Sequence, residues 1–149
     1  MQESDLCPNG LYPTYGANGI VGYTDTYQSD DEAILIIKDG SGVGSVYSVN
    51  EKFSVTGTLN YLTAKGGYSL QYIFFRLRAF NFQPYKTGMA IPHIYFKDYG
   101  KAKIYCPDYE TQCSLAKGLV SIDAKIKNER AYLFKLNMQK NYLLQQMFI

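Results

Sequence analysis

Over its last forty-odd residues, this chain carries an apolar rhythm that steps four, three, four, three: Leu115, Leu119, Ile122, Ile126, Glu129, Leu133, Leu136, Lys140, Leu143, Met147. Only Glu129 and Lys140 break the apolar character. This is a heptad: Leu119, Ile126, Leu133, Lys140 and Met147 hold one seam position, and Leu115, Ile122, Glu129, Leu136 and Leu143 the other. One helix cannot bury such a stripe by itself. No other segment reads as a second long helix, so the stripe calls for a partner helix from this chain or another. Pro107-Asp108 opens the helix, with Asp108 as N-cap and Glu110 favourable in the first turn. From there to residue 147 the helix would span about 60 Å at about 1.5 Å per residue. Gly118 weakens it locally by up to about 1 kcal/mol.

The preceding residues read differently. Residues 11–22 are turn-rich, with Gly16, Gly19 and Gly22 marking tight backbone between apolar flanks. Ala33 to Ile37 is a short strand of the buried type, entered after the acidic turn Asp30-Asp31-Glu32. Gly40 to Gly44 is a glycine loop. Residues 45–49, 53–56 and 58–62 alternate and suggest a meander. The period then changes: Leu70, Ile73, Phe74, Leu77 and Phe80 share one helical face, with Ser69 as N-cap. Residues 83–92 form a loop and 94–96 a short strand. The expected fold is α+β, a mixed globule (residues 1–107) followed by one long C-terminal coiled-coil helix (residues 108–149).

Charge is unevenly spread. Residues 1–51 hold eight acids and one base, Lys38, whereas residues 52–107 hold eight bases and one acid, Asp98. A basic block of this kind suits a polyanion, or else two surface halves that compensate each other. There is no Trp but there are fifteen Tyr, which suit strands and polar contact surfaces. The three cysteines, Cys7, Cys106 and Cys113, have no CxxC spacing, against a zinc site or a disulfide framework. The N-terminus has neither the basic nor the apolar region of a signal peptide, and no apolar run is long enough to span a membrane. A reducing cytosol is the expected compartment.

No chemical motif survives inspection. Gly40-Ser-Gly-Val-Gly44 follows an apolar strand, but a dinucleotide fingerprint must run into a helix, and here strand alternation follows. Pro107-Asp108 with Asp123-Ala-Lys125 mimics a nuclease pattern, yet both parts fall on one helix, about 22 Å apart along its axis, too far to share a metal. His93 is the only histidine, with no second one for a metal pair and no thiol in a recognisable nucleophilic context. The expectation is no catalytic set, no metal and no cofactor.

Five stretches in order carry a resemblance. They are Tyr12-Pro-Thr-Tyr-Gly-Ala-Asn-Gly-Ile-Val-Gly22, Ala33-Ile-Leu-Ile-Ile-Lys-Asp-Gly-Ser-Gly-Val-Gly-Ser-Val46, Lys86-Thr-Gly-Met-Ala-Ile-Pro-His-Ile94, the spaced set Pro107, Glu110, Thr111, Gln112, Leu115, Ala116, Leu119, Ile122, Asp123, and the ending Leu143-Leu-Gln-Gln-Met-Phe-Ile149. Together they resemble the specificity subunit of type I restriction-modification enzymes. Thr111 stands where that family commonly has Glu. The resemblance implies a target recognition domain (1–107) and a conserved spacer helix (108–149), with no catalysis in the chain. It also implies double-stranded DNA and methyltransferase subunits as partners and, through the latter, the restriction subunit. A full subunit carries two of each part and this chain one of each, so it is expected to act as a half-subunit, a homodimer through the C-terminal helix. It also lacks most of the segment that usually precedes the first stretch, which leaves a rearranged locus or a fragment as other origins.

On this reading, phosphate contacts come from Lys38, Lys86 and Arg76 or Arg78, and base approach from Asn18, Ser41, Thr87 and His93, with Tyr15 in the same loops. The partner-helix residues are Leu115, Leu119, Ile122, Ile126, Leu133, Leu136, Leu143 and Met147. The rival is a coiled-coil assembly module without a DNA role, such as the inert product of a truncated specificity gene.

Overall fold

The strand run Ala33–Ile37 organises the globule. In the computed structural model, which describes residues 6–7 and 10–147, all five of its side chains are buried. An unbroken apolar strand needs cover on both faces. Ala33, Leu35 and Ile37 point into one core with Val49, Phe53, Val55 and Leu59. Ile34 and Ile36 point the other way, into a second core with Val43, Leu77, Phe82, Ile94 and Tyr99.

The described strands are β1 (Tyr12–Gly16), β2 (Gly19–Thr24), β3 (Ala33–Ile37), β4 (Val46–Val49), β5 (Ser54–Val55) and β6 (Leu59–Leu62). They form two three-stranded sheets, β2-β1-β5 and β4-β3-β6. The first core lies between these sheets. The second lies between β3 and the helix α1 (Leu70–Arg78), whose Leu70, Ile73 and Phe74 pack on it. A 3-10 helix (Gln83–Tyr85), which takes the first residues of the expected 83–92 loop, a short helix α2 (Phe96–Tyr99) and the 39-residue helix α3 (Tyr109–Met147) complete the described elements. The fold is α+β with one long C-terminal helix. No described helix is long and apolar enough to cross a membrane.

Both helix starts follow their caps. The Ser69 side chain accepts from the Tyr72 N–H. The Asp108 carboxylate accepts from the Thr111 N–H at 2.9 Å and from its hydroxyl at 2.7 Å. These donors hold the Asp108 carboxyl below the usual carboxylate range.

Three local expectations are corrected. Residues 11–22 are the β1–β2 hairpin, closed by a two-residue turn at Ala17-Asn18 in which Gly16 pairs with Gly19. Ala17 and Asn18 keep negative φ and Gly19 takes φ +102°, the pattern of a turn followed by a left-handed glycine, so Gly19 reads as a turn signal while opening a strand. The stretch 45–62 is not a meander, because β5 leaves the sheet of β4 and β6 and pairs parallel with β1. Residues 94–96 are not a strand. Ile94 is buried, but Phe96 is exposed and opens α2, which turns Tyr99 inward. There the Tyr99 hydroxyl accepts from the Asn60 amide at 3.0 Å, and burial raises its pKa.

Candidate nucleic-acid interface

Three loops remote in sequence are stitched together by main-chain hydrogen bonds. The glycine loop and the loop ending at Pro92 are joined by Gly40 N–H to Pro92 O and Ile94 N–H to Lys38 O, both 2.9 Å. The second loop is closed on itself by Thr87 N–H to His93 O and His93 N–H to Thr87 O, at 2.9 and 2.8 Å. The hairpin is tied in through the β5–β6 turn: Thr56 N–H donates to Tyr15 O and Lys38 N–H to Thr58 O, both 2.9 Å. Main-chain bonds thus link the backbone at Tyr15, Lys38, Thr87 and His93, and Asn18, Ser41 and Lys86 follow or precede these points within three residues in sequence.

Their side chains are differently engaged. Asn18, Ser41 and Thr87 are exposed. Lys38 Nζ lies 3.2 Å from Asp39 at the surface, and surface pairs of this kind hold a lysine only loosely. The His93 ring meets Tyr95 edge-on, centroids 4.8 Å apart, and Lys97 Nζ lies 5.1 Å from the Tyr95 ring centre. The Tyr15 hydroxyl donates to Glu51 at 2.6 Å. Burial, then this hydrogen bond and charge, push its pKa up to about 12, so it remains a neutral donor at physiological pH. Tyr95 and Lys97 were not singled out from sequence. Their signal was the alternation His93, Tyr95, Lys97 within the basic block.

Charge is segregated along β3. The exposed acids Asp31 and Glu32 precede the strand and Lys38 follows it. Six residues of strand put them about 20 Å apart. The acidic end borders a cavity of about 400 Å³ between globule and arm, lined by Glu32, Leu70, Phe74, Phe75, Val120 and Lys127 among others.

The arginines are placed apart from one another in role. Arg76 is exposed on α1. Arg78 lies over the rings of Phe74 and Phe75 and pairs with Asp123 of α3, so it engages the junction between globule and arm. Of the two acids in the nuclease-like pattern, Asp108 caps α3 and Asp123 takes this ion pair. Among the described residues no group of three or more His, Cys, Asp or Glu is placed to hold a metal ion. The junction also contains Gln112, almost wholly buried. Its amide donates to Pro107 O at 2.8 Å, and its side-chain oxygen accepts from Ser69 N–H at 2.9 Å. It thus clips the start of α3 to the start of α1.

Along the arm, Leu115, Leu119, Ile122, Ile126, Leu133, Leu136, Leu143 and Met147 are all exposed in the single chain. A second face continues from the buried Gln112 and Ala116 through Val120, Ala124, Lys127, Ala131, Phe134 and Met138.

Residues 1–138 match the family described as "Type I restriction modification DNA specificity domain". Over 113 residues the chain is 28% identical to the type I restriction enzyme EcoprrI specificity subunit of Escherichia coli, covering 76% of this chain and 28% of that protein. Over 125 residues it is 26% identical to the putative type I restriction enzyme specificity subunit S.HindORF215P of Haemophilus influenzae, covering 82% of this chain and 32% of that one. The chain thus spans less than a third of the length of these relatives. In fold it is similar to the S subunit of a type I restriction-modification system from M. genitalium, with a TM-score of 0.66 at 23% identity over 86% of this chain and 36% of that one.

Proposed function

The chain belongs to the type I restriction-modification DNA specificity family, and we propose that it reads one half of a bipartite DNA site and docks methyltransferase subunits through its C-terminal helix. Reading falls to residues 1–107 and docking to residues 108–149. The observation that carries this is the main-chain linkage of the three loops. They offer Lys38 and Lys86 to phosphates, and Asn18, Ser41, Thr87 and His93 to base edges. Arg76 completes the phosphate set from α1. Arg78 is left to the junction, where Asp123 holds it.

The exposed heptad is the seat of a second copy of this helix, running antiparallel, and the face through Phe134 and Met138 remains for methyltransferase subunits. The chain itself carries no catalysis: methyl transfer and cleavage belong to its partners, in the cytoplasm.

Fluorescence anisotropy on the chain assembled with its methyltransferase subunits tests the reading. Binding should weaken steeply with salt. Lys86→Ala should weaken it on all sequences alike, whereas changes at Asn18 or His93 should alter sequence preference. If the assembled wild-type complex shows no salt-dependent DNA binding, an assembly module without a DNA role is what remains.

A further inference from the structure

Two large apolar side chains stand out from the basic edge. Met89 is 106% and Ile91 67% exposed, both within the turn that Thr87 and His93 close. The turn is preshaped. Gly88 takes φ +87°, and a Cβ there would lie 2.3 Å from Ile91 O and 3.1 Å from His93 Nδ1. Pro92 stiffens its return, and the base is anchored by the hydrogen bonds to Gly40 and Lys38 and by Ile94 in the core. The fixed base spares the backbone its ordering cost when the tip inserts, leaving only the side chains to be ordered.

We propose that this turn is a wedge: Met89, followed by Ile91, enters a base step of the bound duplex, with Lys86 and Lys97 on the flanking phosphates. The inference rests on the DNA-reading function proposed above. Methionine and isoleucine are among the side chains that proteins insert between base pairs to kink a duplex. Charge selects DNA over a protein partner. Residues 86–97 hold Lys86, His93 and Lys97 and no acid; the nearest acid in sequence is Asp98, and Asp39, which bridges His93 in space, carries Lys38 beside it. The wedge would read the deformability of a step rather than its hydrogen-bonding pattern, favouring flexible pyrimidine–purine steps.

The test uses the full chain assembled with the methyltransferase subunits of its own system. The probe is a pool of duplexes with a randomised centre, selected on the complex and then remade with 2-aminopurine at successive positions. Fluorescence should rise at one step of each half-site, apart from the base that is methylated. Met89→Ala should abolish that rise and weaken binding to the selected duplex about tenfold, as expected for one apolar side chain removed from a buried contact. Its binding to the unselected pool should be unchanged. Unaltered fluorescence and affinity in Met89→Ala would overturn the wedge alone. So would loss of methyltransferase subunits from the variant complex, which would make the tip a protein contact. If the wild-type complex selects no duplex, the DNA-reading function falls, and the wedge with it.

Discussion

Gln112 is a polar side chain in a place usually given to apolar ones, and its two hydrogen bonds account for that. Replacing it with leucine would leave the Ser69 N–H and the Pro107 carbonyl without their partners. Gln112→Leu should therefore cost about 2 kcal/mol despite its similar size, read as a lower denaturant midpoint at constant slope. Tyr15 permits a second prediction at this scale. Its folded-state pKa of about 12 lies above the ordinary value of 10.0, so its contribution is complete below pH 10 and is lost as pH rises towards 12. Tyr15→Phe should accordingly lose more stability near pH 8 than near pH 12. A stability difference between variant and wild type that stays flat over that range would deny Tyr15 this role. Single residues were legible in sequence where the cause is local. Ser69 and Asp108 cap because their side chains reach N–H groups three residues on. Arg78 was not so legible, because its partner Asp123 is 45 residues away and only the packing of α1 on α3 brings them together.

At the scale of elements, legibility followed periodicity. The apolar run of β3, the 3-4 face of α1 and the long rhythm of α3 each announced themselves, since each buries or presents a continuous apolar surface. The hairpin was hidden by its own glycines, which served strand as well as turn. The pairing of β5 with β1 was hidden because a two-residue strand has no period to read and its partner lies some forty residues earlier. That these loops belong together came from the family resemblance and not from any pattern in the residues, because the bonds at Tyr15, Lys38 and Pro92 are main-chain bonds, indifferent to residue type. The arm supports a prediction of its own. If α3 pairs through its heptad, Leu133→Asp puts a charge in the middle of the seam, where it must be desolvated without a partner. Light scattering at micromolar concentration should give a dimer for the wild-type chain and a monomer for the variant. A Leu133→Asp dimer would mean that another surface holds the assembly, and a wild-type monomer would deny the homodimer.

For the whole molecule, two features bear on each other: the loops proposed to read DNA, near the Lys38 end of β3, and an arm packed on α1 whose junction cavity lies by the acids at the other end. A duplex at the Lys38 end would be kept from the junction by repulsion from Asp31 and Glu32, leaving the arm to its protein partners. The symmetry of the assembly then dictates the symmetry of the site. If the second helix in the seam is a second copy of this chain, the two reading edges are identical and related by a twofold axis. The DNA must present the same half-site twice in inverted orientation, separated by a gap that the arm's length sets. If instead the seam is filled by a helix that carries a different reading domain, the two halves are unrelated. Genome-wide mapping of methylated bases, in a host whose only specificity subunit is this chain, separates the cases. An interrupted palindrome is expected, and shortening α3 by one heptad should change its gap without changing its halves. A motif with two different halves would rule out the symmetric dimer while leaving DNA reading intact, because the loops would still be reading one of them.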